Sequence, residues 1–173
     1  MRQIINYFWL LCTLRQGPDQ LPANGFVLGI CLLCYCLAAI ITLAGTAGNL
    51  GFGQVLASIT SGVAVTLAMV FGLLALKGLQ ARLPQTMGAM FGANTVMLVI
   101  SLPFNLVRPT FMETDAQIFI DLAILGTFAW WLTIAGFIAH RAANISLIQG
   151  MAFALATELL SLTINGYVMS LTR

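Results

Sequence analysis

The sequence predicts an all-α membrane protein, a polytopic bundle of five transmembrane helices preceded by a short interfacial amphipathic helix. Three observations carry that prediction. Only 7% of residues are charged and 60% are hydrophobic, against roughly 25% charged in an ordinary soluble domain, so a soluble fold could not cover its own surface. No charged residue stands between Asp19 and Lys77, room for two spans of about 20 residues each. Further uncharged runs at 83–107, 122–140 and 142–157 each supply most of another helix, and no water-exposed domain fits between them.

Residues 1–22 read as an interfacial segment and a turn, and 23–173 as the transmembrane domain. Ile4, Ile5, Phe8, Trp9, Leu11 and Cys12 fall mainly on one side of a helix, with Arg2, Gln3, Asn6 and Arg15 elsewhere, the pattern of a helix lying in the membrane surface. The apolar stretch is followed by Gln16-Gly17-Pro18-Asp19 instead of a small-x-small cleavage site, so a removed signal peptide is not expected. Gly17-Pro18 should end the helix, and Pro22 with Asn24-Gly25 should turn the chain into the bilayer.

The spans are expected at about 26–45, 54–76, 84–107, 116–139 and 146–171. A glycine-rich turn from Gly45 to Gly53 separates the first two, and Lys77 and Arg82 bracket the next connection. Pro84 opens the third span, where its missing N–H costs nothing, and Pro103 should kink its last turn. Arg108, Pro109, Glu113 and Asp115 make a polar loop, and His140, Arg141 and Asn144 another. Such short connections make consecutive helices antiparallel neighbours.

With the N-terminus inside, Arg2, Arg15, Lys77, Arg82 and Arg141 lie on the inner side and Arg108 and Arg173 on the outer. The excess of basic residues favours a cytoplasmic N-terminus and a periplasmic C-terminus. Helices in lipid associate through small side chains. Ala64, Ala68 and Gly72 continue such a stripe from Thr60 on the second span, Gly88 and Gly92 form a GxxxG on the third, and Gly150 and Ala154 mark the fifth. Packing within the chain is the plainer reading of these stripes, and an interface with another protein or a second copy is the other.

Glu158 is the residue most suggestive of chemistry. It lies about 12 positions, or roughly 18 Å, into the fifth span, near the midplane, where a carboxylate is costly and must be paired, neutral or hydrated. Depth nominates Asn94 as its partner, with Thr95, Thr60, Ser61 or Thr66 completing a polar centre. A second layer nearer the outer surface would join Asp121, Asn165 and Asn105. These groups read either as a hydrogen-bond network that fixes helix register or as a proton or solute path in which Glu158 titrates.

Other chemistries find little footing. There is no H-E-x-x-H, no G-x-S-x-G and no glycine-rich phosphate loop, so an enzyme is not expected. The lone His140 belongs at the inner interface and cannot pair across the membrane to hold a heme. Cys31, Cys34 and Cys36 lack the second cluster a metal needs and read as packing residues. Trp130 and Trp131 likewise read as packing, and no cofactor is expected. Seven basic residues scattered along the chain offer no phosphate-binding patch, which excludes nucleic acid as a partner.

The stretch Arg15-Gln16-Gly17-Pro18-Asp19-Gln20-Leu21-Pro22, with the amphipathic segment before it and five closely connected spans after it, resembles small inner-membrane proteins of proteobacteria. The five-span layout is also similar to that of Yip1-like membrane proteins. That resemblance implies a scaffold in membrane organisation. The first functional expectation is therefore an accessory or scaffold protein of the bacterial inner membrane, associating with another membrane protein or with itself through small-residue faces. The alternative is a small transporter or proton-linked channel built on Glu158.

Overall fold

The computed structural model describes residues 2–46, 51–111 and 116–171, with side chains from Asn6 onward and none at Ala116. Six α-helices form, α1 Arg2–Cys12, α2 Gly25–Thr46, α3 Phe52–Leu76, α4 Leu83–Val107, α5 Ala116–Ala143 and α6 Leu147–Leu171, with no strand among the described residues. The helices α2 to α6 are long and apolar enough to cross a membrane, the build of a multi-pass membrane protein. Most expected boundaries hold to within two residues. The expected turn at Ala47 to Leu50, the loop acids Glu113 and Asp115, Arg173 and the side chain of Arg2 lie outside the described residues.

The largest boundary difference is the end of α5. His140 and Arg141 were expected in a loop but form its last turn, where basic side chains meet the free carbonyls of a helix C-terminus favourably. The stop comes at Asn144, whose φ of 53° is the left-handed conformation that ends helices and that Asn tolerates. Beyond it, Ser146 and Gln149 cap α6 reciprocally. The Ser146 amide donates to Gln149 Oε1 at 3.0 Å and the Gln149 amide to Ser146 Oγ at 3.2 Å. Helix α4 runs on through Pro103 to Val107.

Consecutive order is not packing order. The main partner of α2 is α4, and that of α3 is α6, while α4–α5 and α5–α6 pack as sequence neighbours. The five spans thus close a ring in the order α2, α4, α5, α6, α3. Short loops constrain where the next helix begins, but side-chain volume decides which face it presses. Gly88 shows this, because an added Cβ there would meet Leu21 at 2.8 Å and the Leu28 backbone at 3.9 Å, so the glycine admits α2 against α4.

The same principle seats α1. A Cβ on Gly92 would overlap the Phe8 ring, and Phe8, Leu11 and Cys12 are buried in the main core. The Trp130 indole N–H donates to the Cys12 carbonyl at 2.9 Å, satisfying a helix-end acceptor, and the Tyr7 hydroxyl donates to the Gly17 carbonyl at 3.0 Å. Burial, then the nearby Asp19 charge and Cys31, push the Tyr7 phenol up to about 12, which keeps it a neutral donor. The side of α1 that carries Phe8, Leu11 and Cys12 is therefore covered by protein, while Trp9 stays exposed.

The small-residue stripe of α3 needs correction as an element of packing within the chain. Thr60, Ala64 and Ala68 face outward, and a Cβ on Gly72 would meet nothing. The opposite face, with Val55, Ile59, Val70 and Leu74, is the buried one. Val55 and Ile59 cluster with Ala39 of α2, while Val70 shares the main core with Ala154 of α6, so the small residues at these contacts come from the neighbouring helices. Gly150 and Ala154 do pack, and Gly150 meets Gly136 of α5, a residue outside the expected stripes, backbone to backbone.

Candidate functional site

On the axis of the ring lies a cavity of about 30 Å³. All five spans line it, with Tyr35 from α2, Thr66 from α3, Asn94 from α4, Trp131 from α5 and Glu158 from α6. The Trp131 indole N–H donates to Glu158 Oε1 at 2.7 Å, a charge-assisted hydrogen bond when the carboxylate is ionised. The hydroxyls of Thr66 and Thr157 donate back to the carbonyls of Gly62 and Phe153, each at 2.9 Å. Their donors are thereby engaged within their own helices, leaving lone pairs for the cavity. Tyr35 packs its ring on Phe91 with centroids 5.2 Å apart.

Asn94 shares the cavity with Glu158, as depth suggested, but it is not the carboxylate's direct partner. Its amide makes no hydrogen bond among the described residues and borders a second cavity of about 210 Å³, in which Ser101, Asn105 and Thr127 stand among the apolar side chains of Met97, Leu98, Ile124 and Phe128. This groove follows α4 and α5 outward to within two residues of the end of α4 at Val107. Toward the end of the bundle that carries the connections 77–82 and 144–146, the axis is filled by apolar side chains. Leu74, Met87, Ile134 and Ile138 are at most 1% exposed and lie between Glu158 and those helix ends.

The expected outer layer does not assemble. Asp121 accepts from Arg108 Nε at 2.9 Å in an exposed ion pair, a contact of small value in water. Asn105 donates to the Ser101 carbonyl at 2.9 Å, and Asn165 Oδ1 is buried with no hydrogen-bond partner among the described residues. Equal depth was too weak a criterion for these three, since residues at one level can still face different sides of their helices. Of the other suggested polar partners, Thr95 donates to the Phe91 carbonyl and Ser61 to the Ser58 carbonyl. Cys31 is buried while Cys34 points outward, so the cysteines do not converge on one site.

Trp131 is the member the sequence reading missed. It lies 12 residues before the end of α5 at Ala143, and Glu158 lies 11 residues after the start of α6 at Leu147. At 1.5 Å per residue the two sit at nearly the same depth, so the reasoning that nominated Asn94 would have reached it. Fold and site together define a small polytopic helical membrane protein with a carboxylate on the axis of its bundle. No protein-family model, curated protein or solved structure matches the chain.

Proposed function

We propose that this protein conducts protons across the bacterial inner membrane, with Glu158 as the group that takes up and releases them. The observation that carries this reading is the carboxylate itself, bonded to Trp131 at a cavity that all five spans line, with Asn94, Ser101 and Asn105 spaced along a largely apolar groove on one side and buried apolar side chains alone on the other. A cavity of about 30 Å³ has space for a water molecule or two and none for a larger solute, which favours a proton over other cargo. Protons would reach Glu158 past Asn105, Ser101 and Asn94, and release to the inner side requires Leu74, Met87 and Ile138 to part. Reconstitution in vesicles carrying a pH-sensitive dye tests the reading. A proton leak that rises with protein content is expected, and vesicles as tight as protein-free ones would refute it.

The inner membrane, the cytoplasmic N-terminus and the periplasmic C-terminus belong to the same proposal, supported by the basic-residue asymmetry and by the resemblance of residues 15–22. Reporter fusions at the two termini should read opposite sides; a common side would overturn the orientation.

One observation favours association as a second role. The outward face of α3 presents Thr60, Ala64 and Ala68 beside the open Gly72, a surface on which a second helix could lie closely. This would suit an accessory or scaffold protein with a membrane partner or a second copy. Cysteine at Ala68 should cross-link to a neighbouring chain in native membranes, while cysteine at Leu125, which also faces outward, should not. Equal yields at both positions would remove the argument.

A further inference from the structure

A much larger polar cavity, of about 530 Å³, opens at the end of the bundle that carries the connections 77–82 and 144–146. It lies between the turn Pro18–Gln20, the first turn of α4 and the last turn of α5, and its charged groups are Arg82, Arg141 and Asp19, with His140, Gln85 and Thr86 beside them. Its size falls among ligand-binding clefts, roughly 300–1,000 Å³. The buried side chains of Leu74, Met87, Ile134 and Ile138 separate it from Glu158, so it takes no part in the path described above.

The guanidinium groups are incompletely used. Arg82 donates from Nη1 to the Ala142 carbonyl at 3.2 Å, which leaves its other N–H groups free. Arg141 lies 5.8 Å from the centroid of the Phe137 ring and has no hydrogen-bond or carboxylate partner among the described residues. His140 is anchored through Nδ1 to the Ile145 carbonyl. Gly17 holds the two signs of charge close together, because a Cβ there would overlap the Asp19 carboxylate and meet Arg141 Nε at 3.1 Å. Even so, Asp19 and Arg141 do not close an ion pair. The stretch Gly17-Pro18-Asp19, singled out in the sequence with no chemistry attached, thus builds one wall of the cavity.

Two guanidinium charges and one carboxylate leave the cavity with a single net positive charge when His140 is neutral. That balances a phosphodiester, which carries one negative charge, better than a phosphate monoester, which carries about −1.5 to −2. Position agrees with charge, since basic pockets between the inner ends of spans lie at the level of lipid headgroups. We propose that this cavity binds a singly charged phosphodiester of the kind carried by a phospholipid headgroup, with Arg82 and Arg141 donating to the phosphate oxygens.

The test is native mass spectrometry of the full-length protein in detergent, titrated with phosphatidylglycerol. One tightly retained lipid is expected, with binding about tenfold weaker in Arg141→Gln, the loss expected for one hydrogen bond to a charged group. Lys77→Gln, which removes a charge from the same end of the bundle but does not line the cavity, should bind as wild type does. Asp19→Asn should shift preference toward phosphatidic acid, a monoester. Water-soluble glycerophosphoglycerol separates the two sources of the diester. If it displaces the lipid at equal concentration the site stands and its natural ligand is a soluble diester, whereas failure to compete supports the lipid. Arg82→Gln also removes the bond to Ala142 and is a weaker test of the site, but Arg141 has no such bond to lose. Unchanged retention in folded Arg141→Gln, or no retained lipid in wild type, would overturn the proposal, and either result leaves the reading of Glu158 untouched.

Discussion

Glu158→Gln should abolish proton flux in reconstituted vesicles while changing stability by less than about 1 kcal/mol. The contrast follows from the geometry of one hydrogen bond. Trp131 Nε1 donates to Glu158 Oε1 at 2.7 Å, and the amide oxygen of glutamine can accept the same bond in the same place. Nothing in the packing of α5 against α6 has to move. What disappears is the ability to bind and release a proton, so flux and fold respond separately. A purely structural carboxylate would behave differently, because the glutamine variant would then match wild type in every assay. Glu158→Leu offers the complementary reading. It removes the acceptor and leaves the indole N–H unpaired in a half-buried site, at a cost of about 1–3 kcal/mol. If Glu158→Leu lowers the melting temperature and Glu158→Gln leaves both melting and flux unchanged, the network is a lock between helices and the proton path is wrong.

The parts of this molecule that were legible in the sequence are those written in charge and hydropathy. The uncharged interval between Asp19 and Lys77 could only be two spans with a break, and α2 and α3 lie where that reasoning puts them. Glu158 was conspicuous for the same reason, as an acid far from either end of its helix. Lateral arrangement was much less legible. An i, i+4 stripe of small residues marks a face of a helix but not what the face meets, and on α3 that stripe turns outward. The bulky face of α3, with Val55, Ile59, Val70 and Leu74, proved to be the buried one, because the small residues it packs on, Ala39 of α2 and Ala154 of α6, stand on the partner helices. Trp131 reads as a packing residue in the sequence because an indole in a membrane helix is usually judged by its ring. Here the polar tip matters as much, and Trp130 uses its own N–H in the same manner on the Cys12 carbonyl.

The largest effect on the fold should come from Gly150→Leu. At this contact α5 and α6 approach backbone to backbone, since a Cβ on Gly150 would overlap the Gly136 carbonyl oxygen and would stand 3.2 Å from the His140 amide nitrogen. The reverse is also true, as a Cβ on Gly136 would meet the Met151 Cα and amide nitrogen at 2.8 Å. Neither obstruction is the flexible end of a side chain, so only a shift of one helix relieves it. Overpacking of this kind costs about 1–3 kcal/mol and occasionally more, and leucine should lie at the upper end or beyond. Alanine at Gly150 should be milder in volume yet still destabilising. Two turns further along α6, the parting of α5 and α6 would stretch the bond from Trp131 to Glu158. A fold-preserving Gly150→Ala should therefore also perturb proton flux, linking this backbone contact between α5 and α6 to the carboxylate on the bundle axis. Thermal melts in detergent measure the first effect and vesicle assays the second. A Gly150→Leu protein that melts with wild type would show that the two helices do not approach in this way.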